Sequence, residues 1–390
     1  MRNRQIKLLE TGSYLLFGAR GTGKSTLIRH HLRDRKVLWI DLLKASEEQR
    51  YFDKPDLLSA QLERRETRPD WVVIDEVQKV PKLLDVVHSE IEKARATGVT
   101  LHFALSGSSA RKLKREGANL LAGRAFVHHL FPFTHIELGA DFDLSSALYF
   151  GTLPGILYFT DSDSKHAALE AYVETYLKEE IVAEQLIRNV QPFRKFLNLS
   201  AQANGTIVNF HALAKDLRID DKTVKTYFDI LEDTLLGFYL PAYEKSLRKQ
   251  QIKSPKFYLF DPGVKRVLDQ NLPAFAPLSS QEFGFAFEHF ILCEFVRLKS
   301  YLHRKMTLSH YNTGSAEIDL VIEAPGEPDT FVEIKATERV SDSHLATLKA
   351  LRKDYPKFRF ICLSRDQIRR VEDGIEILPW AEAIQELTGA

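Results

Sequence analysis

A glycine-rich stretch near the start of the chain has the residue types and spacing of a phosphate-binding loop. It fits the pattern G-x-x-x-x-G-K-[ST] and lies between an apolar run that predicts a strand and an amphipathic run that predicts a helix. In such a loop, backbone N–H groups and the helix N-terminus face a phosphate group. We expect Lys24 to contact the β- and γ-phosphates of ATP and Ser25 to ligate Mg2+. The residues assigned to nucleotide binding here are Gly18, Gly21, Thr22, Gly23, Lys24, Ser25 and Thr26.

Two acidic residues, Asp75 and Glu76, follow the apolar run 71–74. Behind a phosphate loop, we interpret Asp75 as a nucleotide-site carboxylate that holds Mg2+ through water. Glu76 is then the base that polarises the attacking water. The alternative is a pair of helix-capping carboxylates, which is common after an apolar strand. An acidic residue directly after the aspartate favours a hydrolysing ATPase over a kinase or a Ras-like switch.

Two further residues are candidates for contact with the γ-phosphate. Ser106 ends the predicted strand 100–106 and is either a sensor of that phosphate or an ordinary helix N-cap. Arg124 is a candidate arginine finger, the type of residue that stabilises charge during phosphoryl transfer. A lone arginine is otherwise a solvated surface charge, so this assignment depends on the resemblance given below.

A second set of chemically active residue types lies near the C-terminus, where Asp319 in one predicted strand precedes Glu333 and Lys335 in the next. Alternate residues of a strand share a face, so Glu333 and Lys335 point in the same direction. Carboxylates suit Mg2+ or Mn2+. This layout resembles the PD-(D/E)xK phosphodiesterases, in which the lysine orients and helps to deprotonate water. We predict catalytic roles for Asp319, Glu333 and Lys335, and metal ligands at Glu288, Asp319 and Glu333.

Each part of this second set also has an ordinary explanation. A glutamate and a lysine two residues apart on a strand usually form a solvated edge. The same fold also serves as a module that binds nucleic acid without cutting it. The sequence therefore does not decide whether this site cleaves phosphodiesters.

The phosphate loop belongs to a region in which short apolar runs alternate with amphipathic runs. This alternation predicts a parallel sheet covered by helices on both faces, and hence an α/β fold. The predicted strands are 14–17, 37–41, 71–75, 100–106 and 126–130, and the predicted helices are 24–32 and 81–96.

The middle of the chain is mostly helical and contains the outline of a winged helix at about 193–260. The outline consists of a helix, a tight turn, a second helix with an apolar face, and a β-hairpin. The predicted parts are a helix from its N-cap Asn209 to Leu217, a second helix capped by Asp221, the end of that unit at Gly237, and the strands 238–243 and 256–260.

Basic residues lie where a winged helix would meet DNA phosphates. They are Lys222 and Lys225 on the second helix, Arg248, Lys249 and Lys253 on the wing, and Arg111, Lys112, Lys114 and Arg115 after strand 100–106. The alternative is solvated surface charge on a winged helix that packs against protein. Base-specific reading is not predicted, because phosphate contacts carry no sequence information.

The C-terminal carboxylates and lysine belong to a compact α/β unit. It is predicted to contain helix 283–297, which carries Glu288, strands 317–322, 330–334 and 359–363, and a helix near 343–353.

Composition sets the broad class of the protein. The chain has 390 residues, of which 44% are hydrophobic and 27% charged, as in an ordinary protein of two or three globular domains. The net charge of +1 gives no whole-chain signal for a polyanion, so any such site must be local. Cys293 and Cys362 lie in apolar stretches and are expected to be buried thiols. Without a secretory signal or a membrane-spanning run, we expect a cytoplasmic protein with no membrane partner.

Several stretches together resemble the AAA-type ATPases that carry a DUF4143 C-terminal region. Besides the phosphate loop and Asp75-Glu76, they are 105–109, 121–124, 130–137, 151–155 and 256–261, which span nearly the whole chain. The resemblance implies a P-loop ATPase core of the additional-strand catalytic-glutamate (ASCE) class. It also implies a winged helix and a nuclease-like C-terminal domain. Arg124 matches the arginine of the family's Gly-Arg pair, and Ser106 stands where the family commonly has threonine.

The resemblance and the motifs together predict three domains and a function. The domains are an ATPase domain at 1–137, a helical linker with the winged helix at 138–278, and a PD-(D/E)xK nuclease-like domain at 279–390. We predict an ATP-hydrolysing protein that acts on single-stranded, duplex or branched DNA, with ATP and Mg2+ at the first site and Mg2+ or Mn2+ at the second. The family habit implies a homo-oligomer, such as a ring. The alternative is a nucleotide-dependent signalling switch whose nuclease-like domain is only a scaffold.

Overall fold

A computed structural model of the chain describes residues 2–64, 68–108, 113, 121, 123–177, 190–244, 253–269 and 281–390. These residues form two compact units, which are described separately. The first contains residues up to Phe131 together with the short segment Asp233–Leu236. The second contains the rest. In the described parts of the chain, no helix is both long enough and apolar enough to cross a membrane.

The first unit is built on a five-stranded sheet in the order β2-β3-β4-β1-β5. All four strand pairs are parallel, as the alternation of runs predicts. The strands are β1 (Ser13–Phe17), β2 (Val37–Asp41), β3 (Trp71–Asp75), β4 (His102–Gly107) and β5 (Ala125–His129). The helices are α1 (Lys24–His31), α2 (Ala45–Asp53), α3 (Leu57–Glu63) and α4 (Leu83–Thr97).

The central strands β1 and β3 are buried along their whole length, which explains why both read as continuous apolar runs. Helix α4 begins at Leu83 and not at Pro81, because the amide of Leu84 still donates to the Pro81 carbonyl in a turn of the i to i+3 type. It ends at Gly98, whose left-handed backbone stops the helix. These elements bring the ends of β1 and β3 to one edge of the sheet.

The second unit opens with helices and a two-stranded antiparallel sheet. Its helices are α5 (His135–Leu138), α6 (Leu144–Phe150), α7 (Ser162–Ala171), α8 (Val190–Gln202), α9 (Phe210–Leu217), α10 (Asp221–Asp233) and α11 (Pro262–Leu268), and its hairpin strands are β6 (Gly237–Leu240) and β7 (Lys256–Leu259). A π-helical segment, Tyr172–Leu177, follows α7. The helix–turn–helix–hairpin outline is therefore present, while the assignment as a winged helix stays a prediction.

Two details of this outline differ from the sequence prediction. The cap of α10 is Asp220, not Asp221, because the Asp220 carboxylate accepts from both the backbone amide and the hydroxyl of Thr223. Gly237 does not end the unit but begins β6, where a Cβ atom would collide with the ring of Phe257. The cap of α9 is Asn209, as predicted, since its side chain accepts from the Ala212 amide at 3.0 Å.

The C-terminal part of the second unit is a six-stranded sheet in the order β12-β13-β11-β10-β9-β8. Its strands are β8 (Thr307–Asn312), β9 (Glu317–Glu323), β10 (Thr330–Lys335), β11 (Arg359–Ser364), β12 (Arg370–Glu372) and β13 (Ile375–Pro379). Its helices are α12 (Gln281–Tyr301), α13 (Ala346–Asp354) and α14 (Trp380–Thr388). A 3-10 turn, Asp342–Leu345, precedes α13 and accounts for the early start of the helix predicted near 343–353.

Both faces of this sheet are covered. Helices α12 and α14 pack on one face, where Phe287, Phe290 and Ile291 meet Val332 and Ile334. Helix α13 packs on the other face, where Leu348 and Leu351 meet Phe331 and Phe360. Cys293 and Cys362 are buried free thiols, as expected.

A buried polar network centred on Arg297 of α12 connects this helix to three segments: the one before α5, the one after α6 and the one between β7 and α11. The Arg297 guanidinium donates to the Phe133 carbonyl at 2.9 Å, the Thr152 hydroxyl at 3.0 Å and the Phe260 carbonyl at 2.9 Å. It also faces Glu294 at 3.2 Å and Asp261 at 3.9 Å. Since Arg297 is 1% exposed, these contacts replace all of its hydration.

Candidate functional site

The phosphate loop connects the end of β1 to the start of α1. The amide of Gly18 donates to the Gly107 carbonyl at 3.2 Å, and the amide of Leu130 donates to the Phe17 carbonyl at 2.7 Å. The backbone at the start of the loop is therefore hydrogen-bonded on both sides. A Cβ atom on Gly18 would collide with the carbonyl oxygen of Leu130. Gly23 has φ 94°, a left-handed conformation that glycine adopts without strain.

The lysine of the loop is buried and points back into it. Lys24 is 6% exposed, and its ammonium donates to the Gly18 carbonyl at 2.8 Å and to the Ala19 carbonyl at 3.4 Å. The Thr22 hydroxyl also donates to the Ala19 carbonyl, at 2.8 Å. Helix α1 has no side-chain cap at Gly23, so its first amides stay available for an anion. This arrangement suits a polyphosphate.

The predicted catalytic carboxylates meet one serine at the ends of β3 and β4. The Ser106 hydroxyl donates to the Asp75 carboxylate and accepts from the Glu76 amide at 3.3 Å. Ser106 therefore contacts the pair predicted to hold Mg2+ and polarise water. Glu76 begins a short 3-10 helix, Val77–Lys79, but its side chain caps none of the amides of that helix. The capping interpretation of Glu76 is thus not what the contacts show.

Gln78 is a site residue that the sequence did not reveal. It is 4% exposed, and its amide group donates to the Glu76 carboxylate and to the Ser108 hydroxyl at 3.0 Å. A Cβ atom on Gly107 would press against the Gln78 side-chain oxygen, so this glycine leaves room for Gln78. The sequence contained no signal for it, because Gln78 stands beside Lys79 in a short segment of mixed polar and apolar residues.

Arg124 lies at the opposite end of the sheet from the phosphate loop. It directly precedes β5, whose first residue pairs with Ser13 at the start of β1, whereas Gly18 follows the end of β1. Five residues of strand separate the two ends, which corresponds to roughly 16 Å. Arg124 forms an ion pair with Glu92 at 2.7 Å. It is therefore too far to reach a phosphate held by its own loop.

The residues around the loop fit ATP with Mg2+. Gly21 and Gly23 take positive φ values of 79° and 94°, the Lys24 ammonium points into the loop, and Ser25 stands in the first turn of α1. Asp75, 4% exposed, supplies a carboxylate near the same edge of the sheet. When bound there, the cation would neutralise phosphate charge. Thr26 is exposed on α1.

The C-terminal site is centred on an irregularity in β9. The β8–β9 register runs from Ser309 opposite Val321 to Tyr311 opposite Ile318, so two residues of β9, Asp319 and Leu320, face one residue of β8. Such a bulge re-aims a side chain. The Asp319 carboxylate accepts from the Ile334 amide of β10 at 2.7 Å, just beyond the last backbone-paired residues, Leu320 and Val332.

Glu333 and Lys335 share a face of β10, as predicted, and contact each other. The Lys335 ammonium lies 2.6 Å from one oxygen of the Glu333 carboxylate. The second oxygen of Glu333 is buried without a hydrogen-bond partner. Burial and then the charge of Asp319 raise the pKa of Glu333 to about 8. This carboxyl group therefore has unused capacity for a proton or a cation.

Glu288 of α12 receives two groups from the hairpin strand β7. The Tyr258 hydroxyl donates to a Glu288 oxygen at 2.6 Å, and the Lys256 ammonium lies 3.9 Å from the same oxygen. Lys256 also pairs with Glu317 at 2.7 Å. Burial and then the charge of Asp319 raise the pKa of Glu288 to about 7. The sequence marked 256–261 only as part of the family resemblance and as a predicted strand, and it assigned no role to Lys256 or Tyr258.

The predicted metal ligands Glu288, Asp319 and Glu333 act on one another electrostatically but do not form a metal-binding set. Across the described residues, no group of three or more histidine, cysteine, aspartate or glutamate side chains is arranged to hold a metal ion. Each of the three carboxylates is engaged by a protein donor or cation, namely the Ile334 amide, Lys335 or the Tyr258–Lys256 pair. A metal does not fit this arrangement as it stands.

The predicted DNA contacts are only partly described. Lys222 and Lys225 are exposed on α10. Lys253 pairs with Glu244 at 2.5 Å, so its charge is offset. The remaining predicted contacts lie outside the described residues: Arg111, Lys112, Lys114, Arg115, Arg248 and Lys249.

Family comparisons agree with the phosphate-loop geometry. Residues 10–139 match a family described as an AAA domain. The match and the loop together support nucleotide binding and ATPase activity. Residues 141–274 match a domain of unknown function, DUF8612, and residues 283–383 match another, DUF4143. The DUF4143 match agrees with the resemblance seen in the sequence. The domain boundaries 137/138 and 278/279 stay predictions, and the second lies outside the described residues.

Whole-chain comparisons give distant relatives. Uncharacterized proteins of Mycobacterium tuberculosis and Mycobacterium bovis are each 26% identical over 331 residues, which is 84% of this chain and 71% of theirs. Among solved structures, the Aeropyrum pernix ORC1 protein in complex with DNA has a TM-score of 0.34 at 13% identity, covering 67% of this chain and 87% of that one. A Thermotoga maritima RuvB variant has a TM-score of 0.31 at 16% identity, covering 59% and 82%. Structural likeness at this level carries no functional argument.

Proposed function

We propose that this chain is an ATP-hydrolysing, DNA-acting protein in which an AAA-type ATPase is coupled to a winged helix and a nuclease-like domain. The observation that carries the ATPase part is the meeting of Asp75, Glu76 and Ser106 beside a loop that holds Lys24. In this assignment Lys24 binds the phosphates, Ser25 and Asp75 hold Mg2+, and Glu76 polarises the attacking water. Ser106 holds the Asp75 carboxylate and the backbone of Glu76.

Two exposed lysines support the DNA part of the proposal. Lys222 and Lys225 lie on α10 away from its buried residues Val224, Tyr227 and Phe228. This is the helix that follows the tight turn, which is the position of the recognition helix in winged-helix proteins. Contacts of lysines with phosphates release counterions, so the affinity for DNA should fall steeply as salt rises.

The DNA part is tested by the salt dependence of binding. Replacing Lys222 and Lys225 with alanine should lower the slope of log affinity against log salt by roughly one per lost contact. The matched control replaces Lys353 and Lys357, two exposed lysines of the C-terminal region, and should leave the slope unchanged. Fluorescence anisotropy with single-stranded, duplex and branched DNA measures this. Binding that ignores salt, or no binding at low salt, contradicts the assignment.

The ATPase part is tested by ATP turnover with and without the same DNAs. Glu76→Gln should still bind ATP but lose turnover by about 10²- to 10⁴-fold, the usual contribution of a general base. Lys24→Ala should lose binding as well. Stimulation of the wild type by one class of DNA identifies the preferred structure. Normal turnover in Glu76→Gln would refute the role given to that carboxylate.

One observation favours a second candidate, a nucleotide-dependent switch whose nuclease-like domain is silent. The carboxylates Glu288, Asp319 and Glu333 are all engaged by protein groups. Incubating labelled DNA with Mg2+ or Mn2+, with and without ATP, separates the two candidates. Cleavage by wild type and none by Lys335→Ala supports a nuclease. Intact DNA under every condition, with normal ATP turnover, supports the switch.

A further inference from the structure

The hairpin strand β7 places a buried cation inside the C-terminal carboxylate cluster. Lys256 pairs with Leu240 in the β6–β7 hairpin, and its side chain is 5% exposed. A buried ammonium is tolerated only when carboxylates surround it. Glu317 at 2.7 Å and Glu288 at 3.9 Å meet this need. Neither glutamate is part of the hairpin, so the hairpin is held to the C-terminal sheet and to α12 by charge.

Tyr258 strengthens the same attachment. Residues two apart on a strand share a face, so Lys256 and Tyr258 point the same way from β7. The Tyr258 hydroxyl donates at 2.6 Å to the oxygen of Glu288 that also faces Lys256. The hairpin thus presents one positive charge and one hydrogen-bond donor to a single carboxylate. Glu288 is therefore engaged by β7 while it also feels the charge of Asp319.

The cluster nevertheless contains more carboxyl groups than cations. Four carboxylates, Glu288, Glu317, Asp319 and Glu333, face two lysines, Lys256 and Lys335. One oxygen of Glu333, a residue that is 7% exposed, is buried without a partner. Divalent cations prefer such oxygen ligands. An ammonium already among the carboxylates opposes a second cation there by charge repulsion.

We propose that Lys256 is a built-in counter-cation that keeps divalent metal out of the C-terminal carboxylate cluster. Tyr258 acts with it by holding Glu288. The ammonium occupies a place where the cluster would otherwise take Mg2+ or Mn2+. This role of Lys256 deepens the one proposed above for the C-terminal domain, but concerns metal occupancy and not cleavage.

The proposal is tested by measuring Mn2+ binding to the nucleotide-free full chain with electron paramagnetic resonance and calorimetry. Lys256→Met should bind Mn2+ more tightly than wild type by on the order of tenfold, the lower end of effects seen around metal sites. Lys256→Arg keeps the cation and should resemble wild type. Lys253→Met is the matched control, because it removes an exposed lysine just before β7. Adding Asp319→Asn to Lys256→Met should abolish the gain.

Two results would overturn the proposal. One is a folded Lys256→Met that binds Mn2+ no better than wild type. The other is a wild type that already binds Mn2+ as tightly at a site lost in Asp319→Asn. If Lys256→Met does not fold, Tyr258→Phe provides the test. This variant releases Glu288 and should also tighten Mn2+ binding. Unchanged Mn2+ binding in Tyr258→Phe would contradict the mechanism. Failure of the proposed function would appear instead in ATP turnover and DNA cleavage, which this measurement does not read.

Discussion

Glu76 holds an unusual backbone conformation for a residue with a side chain. Its φ of 61° lies in the left-handed region, which costs a non-glycine residue on the order of 1–3 kcal/mol. Two contacts hold it there, the bond from its amide to Ser106 and the bond from Gln78 to its carboxylate. Glu76 directly follows β3, so it lies at the end of the sheet that also carries the phosphate loop.

Gln78 should therefore matter for the chemical step and not for nucleotide binding. Gln78→Leu keeps the buried volume but removes the donor to Glu76, so the carboxylate loses its orientation. We expect kcat to fall by up to about 10²-fold, the effect of a small misplacement of a catalytic group, with little change in ATP affinity. Steady-state turnover and nucleotide titration measure the two quantities. An unchanged kcat would show that Glu76 needs no such support.

At the scale of elements, strand β8 joins the C-terminal sheet to the segment that follows β6 within the hairpin. The amide of His310 donates to the Pro241 carbonyl at 2.8 Å, and the amide of Tyr243 donates to the His310 carbonyl at 2.6 Å. His310 is 1% exposed and stands opposite the bulge at Asp319. Burial and then the charge of Lys256 lower the pKa of His310 to about 4.

This depressed pKa predicts a loss of stability in acid. Between about pH 6.5, the ordinary value for histidine, and pH 4, the unfolded chain binds a proton at His310 that the folded chain does not. The free energy of unfolding should therefore fall as the pH drops through this window. His310→Gln removes the titration, so its urea-unfolding curve should depend less on pH here than that of wild type. Parallel pH profiles would contradict the assignment.

The network around Arg297 predicts a large stability effect within the second unit. Arg297→Met removes the cation and leaves Glu294 and Asp261 buried without it. Breaking a buried pair in this way costs about 3–5 kcal/mol. Arg304→Met is the matched control, because Arg304 pairs with Glu327 at the surface at 2.7 Å. An exposed pair contributes at most about 1 kcal/mol. Urea denaturation followed by circular dichroism compares them, and equal losses would argue against the network.

The sequence predicted the elements whose pattern is local. The strands of the first sheet read correctly because parallel strands such as β1 and β3 are apolar along their length. Strands β8, β12 and β13 and helix α14 were missed, since β12 has only three residues and β8 mixes polar and apolar types. Gln78, Lys256 and Tyr258 were missed because their partners are set by folding: the sequence separates Lys256 from Glu317 by 61 positions.

At the scale of the whole molecule, the position of Arg124 restricts how it could act as an arginine finger. Arg124 cannot reach its own loop, so a role as arginine finger requires a neighbour. Arg124→Ala should keep ATP binding and lose about 10³-fold in turnover. Mixing it with Lys24→Ala protein should restore part of the activity, because each supplies what the other lacks. The control Arg95→Ala removes another arginine that contacts Glu92 and should hydrolyse normally.

The outcome of mixing also distinguishes the two candidate functions. Rescue, together with nucleotide-dependent oligomers in light scattering, fits a ring-forming ATPase. A monomer in every nucleotide state, with no rescue, fits the switch.

Strand β5 has a mechanical consequence for such a ring. One end of the strand follows Arg124, and beyond the other end the amide of Leu130 donates to the Phe17 carbonyl, next to Gly18. β5 pairs with β1 along its whole length, so we expect a shift at either end to be felt at the other. Coupling between two sites is reciprocal. With Arg124 in a neighbour's site, each subunit would both report its own nucleotide and sense the next one. In a head-to-tail ring, the coupling between neighbouring nucleotide sites would run in one direction around the ring.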